Sequence, residues 1–276
     1  MLTPNILRKS QLNEDGIDVR WQTFTAPHTT LLHSHEFYEL ELTLSGETTE
    51  YINGSPYEKV RGAISLLSPA DFHTYNVADG EMKVVNIMFG ENCMPGGLIN
   101  SIFDKNLRRS IILSEDKTNT FSHLFSAMDD FKHYDEYLKN TLIKRLIETI
   151  LLIIIKEYNS NGLTVNLNQK SEMERALHYI DLHFRDNPSV PDVAAYISLS
   201  PDYFSKSFKK YTGLFYTDYL NKCKIESAGF LLKSSTMSVT EICFNSGFTS
   251  LSNFLRVFKE QTGKTPKEYR TVHKFK

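Results

Sequence analysis

Five times between residues 171 and 268 a hydroxyl residue stands where a helix should begin, and four times an acidic residue follows three positions on. Ser171 precedes Glu174, Ser189 precedes Asp192, Ser238 precedes Glu241, and Thr265 precedes Glu268 with Pro266 between them; Ser200 is followed by Pro201. A hydroxyl oxygen at such a position accepts from an orphan backbone N–H of the first turn, and the carboxylate accepts in return from the cap's own N–H. Proline at the first helical position has the right φ and sacrifices no bond. Each start leads into apolar residues at helical spacing, so the last hundred residues are expected to fold as a bundle of short helices.

Two of these helices lead through a tight turn into another. Asp192 to Ser198 runs through Leu199-Ser200 into Pro201 to Tyr211, and Val239 to Asn245 runs through Ser246-Gly247-Phe248 into Leu251 to Thr262. Small residues, Ala194 and Cys243, sit where two helices would cross closely, and a turn follows four residues on at Ser198 and Gly247. Leu199, Phe204 and Phe208, or Phe248, Phe254 and Phe258, then face inward. This is a helix-turn-helix layout, whose second helix turns its outer side to a DNA major groove. Charge points the same way. From Ser171 onward there are 15 Lys+Arg and 11 Asp+Glu, a net of +4, against 16 and 22, a net of −6, in the remainder. A basic part beside an acidic one suits a nucleic-acid-facing domain joined to a partner domain.

The first hundred residues read as β structure. Short runs rich in Val, Ile, Tyr, Thr and Leu are bounded by turn signals at Ser45-Gly46, Asn53-Gly54, Ser68-Pro69 and Asp79-Gly80. That spacing favours a sandwich or small barrel over a parallel sheet. From Asn119 to Tyr158 the period becomes helical, with one stripe at Phe121, Leu124, Phe125 and Met128 and another at Leu138, Leu142, Leu146 and Ile150. Leu151 to Ile155 is apolar on more than one face, which asks for cover from the domain itself or from a second subunit. Ile150 to Ile155 is too short to cross a bilayer, and the start of the chain lacks a basic-then-apolar signal pattern. Cys93, Cys223 and Cys243 form no CxxC pair and fit a reducing cytoplasm. The expected organisation is α+β in two domains: 1–115 an effector-binding barrel, 116–158 packing or dimerisation helices, 159–170 a polar linker, and 171–276 the helical domain.

The stretch Leu199 to Gly213 resembles the first recognition helix of the AraC/XylS regulators, and Gly247 to Arg270 is similar to that family's terminal signature nearly position for position. The likeness runs from about Ser171 to Arg270. Ser198 stands where the family usually has Gly and Cys243 where it has Ala; Gly229 interrupts the connecting helix at a cost of roughly 1 kcal/mol relative to Ala. The resemblance implies a cytoplasmic, non-enzymatic transcription regulator, expected to activate, with double-stranded DNA, RNA polymerase and a second copy of the chain as partners. Taken by face, the first recognition helix presents Asp202, Ser205, Lys206, Lys209 and Lys210, and the second Leu251, Ser252, Asn253, Arg256 and Lys259. Arg256 suits the paired acceptors of guanine, Asn253 adenine, and Leu251 a thymine methyl. Lys209, Lys210, Lys259 and Lys264 suit phosphate. A solvated helix face is the alternative for each.

In the N-terminal part, His33-Ser-His35-Glu-Phe-Tyr-Glu39, with Gly46 seven residues on, resembles the first cupin motif, although Pro27 stands for its leading Gly. Gly62 to Pro69 with His73 and Asn76 resembles the second motif without its inner Gly. The resemblance implies a cupin-like β-barrel in which His33, His35, Glu39 and His73 hold a divalent transition metal, a set suited to iron, manganese, nickel or zinc. The alternatives are the same cavity used without metal for a small-molecule effector, a carbohydrate by resemblance, and plain structural histidines. Trp21, with Phe24, Phe37 and Tyr38, is of a kind that stacks on sugar rings. In an unbroken strand His33, His35, Phe37, Glu39 and Glu41 share one face and Tyr38, Leu40, Leu42 and Leu44 the other. Which face fills the core decides whether the histidines point inward. The rival functions are a metal-dependent cupin enzyme with a helical appendage and an architectural DNA-binding protein without ligand.

Overall fold

The computed structural model describes residues 5–7, 12, 16–103, 107–160 and 171–273. The expected linker 159–170 falls almost wholly outside them. The chain forms two compact units, Ile6–Gln169 and Lys170–Lys276.

The first unit is built on β1 (Asn5–Leu7), β2 (Ile17–Thr25), β3 (His28–Thr29), β4 (His33–His35), β5 (Tyr38–Ser45), β6 (Thr48–Ile52), β7 (Ser55–Lys59), β8 (Ala63–Leu67), β9 (His73–Val77), β10 (Glu81–Phe89) and β11 (Ser110–Ile112). They pair in two sheets with free edges, not in the single closed barrel expected from the motifs. One sheet runs β1-β4-β9-β6-β7 with β3 added on β9; the other runs β11-β8-β5-β10-β2. The Asn53-Gly54 signal makes a two-residue hairpin between β6 and β7, both residues at positive φ and Ile52 opposite Ser55, as such a turn requires.

The five-stranded sheet is covered on both faces, which is why Tyr38–Thr43 and all of β8 are buried. Its outer face carries Tyr38, Leu40 and Leu42 beside Ile87, Val85 and Ile64. The Tyr38 ring lies 4.6 Å from Phe103, which caps helix α1 (Gly96–Ile102). Its inner face carries Glu39, Glu41 and Thr43, in phase with Asn86 on β10 and Ser65 on β8. The leucines thus lie on the helix side, and the polar row points between the sheets.

Helices α2 (Glu115–Asp130) and α3 (Glu136–Ser160) complete the unit. Phe121, Phe125 and Met128 are buried as the first stripe requires. On α3 the buried face is Ile147, Ile150, Leu151, Ile154, Ile155 and Tyr158. The row at Leu138, Leu142 and Leu146 is only partly covered, and Leu138 and Leu152 stay exposed.

The second unit holds α4 (Glu172–His183), α5 (Val190–Tyr196), α6 (Pro201–Thr212), α7 (Tyr216–Ser234), α8 (Val239–Asn245), α9 (Leu251–Thr262) and α10 (Pro266–His273). Capping boxes close at Ser171, Ser189 and Ser238. At Thr265 the hydroxyl oxygen accepts from the Glu268 N–H at 3.3 Å and the carboxylate from the Thr265 N–H at 2.8 Å. Pairs α5–α6 and α8–α9 repeat one design bond for bond. The N–H of Leu199 donates to Ala194 O and that of Phe248 to Cys243 O. α6 and α9 each end on a left-handed glycine, Gly213 and Gly263, whose N–H donates to Lys209 O and Lys259 O. Phe204, Phe208, Phe254 and Phe258 have no exposed surface, each worth up to about 3 kcal/mol of apolar burial.

The two turns reach one backbone shape with different residues. Ser198 lies at φ +60 and Gly247 at φ +81. A Cβ on Gly247 would lie 2.7 Å from Arg185 Cα and 3.0 Å from Arg185 O, so only glycine fits there. Gly229, expected to weaken α7, has a packing role: the Tyr269 ring of α10 lies over it, 3.4–3.7 Å from where a Cβ would stand.

Candidate nucleic-acid interface and buried histidine cluster

The second helix of each pair is held from behind by its phenylalanines, so the residues between them are forced outward. On α6, Asp202, Ser205, Lys206, Lys209 and Lys210 are all exposed. Asp202 lies in the first turn, where a carboxylate is favoured by the helix dipole. The Ser205 hydroxyl donates to Pro201 O at 2.8 Å, which leaves its oxygen free only to accept. The Lys209 ammonium sits 3.6 Å over the Phe215 ring, a cation–π contact that fixes where its charge is presented. Tyr203, 60% exposed on the same helix, shares that surface; in the sequence its aromatic character masks its outward phase.

On α9, Ser252, Asn253, Arg256 and Lys259 are exposed and Leu251 is partly so. Arg256 does not extend freely. Its guanidinium donates to both Glu260 oxygens, at 2.9 and 2.8 Å, and to Asn253 Oδ1 at 2.9 Å. An exposed i,i+4 pair of this kind is worth only about 0.3–0.5 kcal/mol, so it yields to a stronger partner. Glu260 and Leu255, both exposed, are further members of this face that the residue types alone do not pick out. Lys264 lies partly buried beyond the helix end.

Between the sheets of the first unit lies a second concentration of chemistry. His33 and His35 on β4, His73 on β9 and Glu39 on β5 come together there, as the motif spacing implied. His35 Nε2 approaches Glu39 Oε2 at 2.8 Å, and His73 Nε2 approaches the same oxygen at 3.9 Å. The Asn86 amide donates to the other oxygen, Glu39 Oε1. Trp21 is not among them. It pairs with Val85, so it stands on the opposite face of the sheet, 42% exposed.

Members of the cluster that the sequence reading does not name are Glu50, Lys59, Ser65 and Asn86, and Glu41, placed there in phase with Glu39, joins them. Lys59 is ion-paired with Glu50 at 3.0 Å and with Glu41, and it is 1% exposed. Ser65 donates to Glu50 Oε2, and His73 Nδ1 lies 3.0 Å from Glu50 Oε1. Only Glu41 left a trace in the sequence, being in phase with Glu39. Burial and the His73 charge hold the His33 imidazole down to about 3. Burial opposes ionisation of Glu39, but the bond and charge of His35 outweigh it and bring the carboxyl down to about 2. Glu50 is likewise lowered by Lys59 and His73 against its burial, and His73 is raised by Glu50 against its own. Burial pushes Glu41 up.

Comparison with known proteins bears on the helical unit. Residues 193–271 match the family model described as a helix-turn-helix domain. The regulatory protein PocR of Salmonella typhimurium strain LT2 is 43% identical over 100 residues, covering 36% of this chain and 33% of that protein. An uncharacterized HTH-type transcriptional regulator of Staphylococcus aureus strain MSSA476 is 24% identical over 236 residues, covering 82% of this chain and 30% of the relative. The chain therefore spans about a third of the length of the curated relatives it matches. Among solved structures, ToxT from Vibrio cholerae O395 is similar over 94% of this chain and 99% of its own, at 17% identity and a TM-score of 0.43. The DNA-binding domain of AdpA in complex with a target DNA covers 37% of this chain and 93% of its own, at 25% identity and a TM-score of 0.36. Among the described residues, no helix is long and apolar enough to cross a membrane. The matched stretch and the duplicated cap-turn-cap geometry make the C-terminal unit a tandem helix-turn-helix domain of the AraC/XylS family of transcriptional regulators.

Proposed function

We propose that the chain is a sequence-specific DNA-binding transcription regulator that reads duplex DNA with α6 and α9 and answers to a small effector taken up by its N-terminal unit. The observation that carries this is the duplication. Two helices of equal length, each capped by Ser and ended by Gly, are locked from behind by paired phenylalanines and offer polar outer faces. Two such helices in one unit suit two major-groove faces about 34 Å apart. Arg256 and Asn253 are assigned to bases, with Leu251 and Ser252 beside them and Asp202 and Ser205 reading from α6. Lys206, Lys209, Lys210, Lys259 and Lys264 are assigned to phosphate.

The finer reading is an activator that works with RNA polymerase in the cytoplasm and responds to a carbohydrate. Support for the effector part is the inward-facing set His33, His35, Glu39 and His73; Trp21, on the far face, drops out of it. The half-covered row Leu138, Leu142 and Leu146 supports a homodimer through α3. The domain division proposed is 1–115, 116–158, 159–170 and 171–276. The relatives carry regulator names, which favours this reading over a cupin enzyme.

The test is a gel-shift titration of Arg256→Ala on the duplex the wild-type chain prefers. Affinity should fall by about 1–3 kcal/mol and one base position should lose its preference. Unchanged affinity and specificity would remove Arg256 from base reading.

A further inference from the structure

We propose that Lys224 and Asn187 form a clasp that fixes α6 and α9 relative to each other, and so sets the spacing between the two DNA blocks the chain accepts. The proposal rests on the DNA reading above and adds to it the residues that hold the two reading helices in register.

α7 is the helix that both halves of the unit share, and each half grips a different end of it. The rings of Phe204 and Phe208 on α6 meet Tyr216 at 5.9 Å, and Phe208 meets Tyr219 at 5.5 Å. At the other end Tyr269 of α10 covers Gly229 and meets Phe258 of α9 edge-on at 5.3 Å. Tyr219 and Gly229 are about 15 Å apart along the helix, so a small tilt at either grip moves α6 and α9 against each other.

Lys224 stands midway between the grips and is 5% exposed. Its ammonium donates to Asn187 Oδ1 and lies 5.2 Å over the Phe248 ring. Asn187 follows the 3-10 turn Phe184–Asp186 and stands two residues before Ser189, the cap of α5. Its amide donates to Arg185 O at 3.2 Å and to Gly247 O at 2.9 Å. Carbonyls only accept and an ammonium only donates, so the orientation of the amide is settled and both its ends are engaged. Gly247 and Phe248 form the turn of the second helix pair, and the Phe248 ring packs at 5.2 Å on Phe254 of α9. One arm of the clasp thus ends beside the cap of α5 and the other in the core behind α9.

The backbone is shaped for this bridge. Asn187 lies at φ +58, in the left-handed region that Asn enters more readily than most residues. Gly247 lies at φ +81, and the space for its Cβ is taken by Arg185 Cα at 2.7 Å. The two backbones therefore touch where the amide joins them. A lysine is a costly choice at this depth: burial lowers its basicity, and a buried charge needs a partner. For packing alone an apolar side chain of similar volume would serve α7 as well. The ammonium adds direction, because it ties the middle of α7 to the amide that joins the two pairs. Neither residue lies on α6 or α9, so both are positioning residues.

The experiment uses the full chain and the two-block duplex that wild type selects from a randomised pool. Affinity is measured with the spacer between blocks shortened or lengthened by one base pair, and on duplexes carrying either block alone. One base pair turns the second block by about 35° around the duplex axis, so wild type should lose about tenfold for each change. Lys224→Met keeps length and apolar packing, and Asn187→Gly keeps the left-handed backbone. Each should cut the spacing penalty to about threefold or less while leaving single-block affinities unchanged. The double variant should be no more relaxed than either single one. Lys224→Arg, a donor that also stacks on aromatic rings, should restore the penalty. A wild type indifferent to spacing, a penalty kept by both variants, or an equal loss on single-block and two-block duplexes would overturn the clasp alone. A wild-type chain that selects no blocks refutes the DNA reading and the clasp's role together.

Discussion

Ser198 and Gly247 occupy the same place in two copies of one turn, and exchanging their types should have opposite effects. In Ser198→Gly the left-handed penalty on an L-residue, about 1–2 kcal/mol, is relieved, while the freer glycine costs about 0.5–1 kcal/mol in the unfolded chain. The net is a gain of about 0.5–1 kcal/mol. In Gly247→Ala the same two effects run in reverse, and a collision is added. The new Cβ would meet Arg185 Cα at 2.7 Å, Arg185 O at 3.0 Å and Phe184 O at 3.2 Å, all of them backbone that no rotamer change can move. Overpacking of this kind costs about 1–3 kcal/mol. The Asn187 amide, which donates to Gly247 O at 2.9 Å, is put at risk for about 1 kcal/mol more. Gly247→Ala should therefore destabilise the helical unit by about 3–5 kcal/mol. Urea unfolding followed by circular dichroism at the helical band measures both variants. Fluorescence of Trp21, the chain's single tryptophan, reports the other unit as an internal control. A destabilising Ser198→Gly, or a Gly247→Ala that costs less than about 1 kcal/mol, would refute the steric reasoning.

Further outcomes concern the interface and the sandwich. Glu260→Gln frees Arg256 and removes a negative charge from the reading face, so affinity for the preferred duplex should rise about two- to threefold in a fluorescence-anisotropy titration; a loss of affinity would mean that Glu260 positions Arg256 instead. Lys210→Ala should weaken binding about equally on preferred and scrambled duplexes and reduce the salt slope by about one. Asp71→Asn takes a carboxylate away from Arg109 Nε at 3.2 Å and from the Ser68 N–H and hydroxyl at 2.8 and 2.6 Å. The buried guanidinium then faces a neutral amide, and the first unit should lose about 3–5 kcal/mol in the Trp21-monitored transition.

What could be read in the sequence was mostly local. A capping box needs four consecutive residues, so Ser171, Ser189, Ser238 and Thr265 announced their helices, and each forms its bonds. The Ser250 cap of α9 escaped notice because Asn253, not an acid, stands three positions on. Outward positions on α6 and α9 followed from the phenylalanine phase; Tyr203 and Leu255 did not, because an apolar side chain on an interface looks like core. The sandwich was less legible. That His33, His35, Glu39 and His73 meet was implied by motif spacing, whereas the fate of Trp21 depended on its register against Val85, set by pairing with β10 some sixty residues later. Nothing in their own strands joins Lys59, Glu50 and Ser65; the stacking of two sheets makes them one buried network. The free edges of those sheets are equally a matter of long-range pairing.

The central claim is that α6 and α9 read DNA as a pair. Repeated selection of bound duplexes from a randomised pool by the full chain tests it without assuming any operator sequence. Two short conserved blocks should emerge, their centres about 10 base pairs apart, and Arg256→Ala should blur a position in one block while leaving the other unchanged. A pool with no enriched sequence, or one identical for wild type and Arg256→Ala, would contradict it.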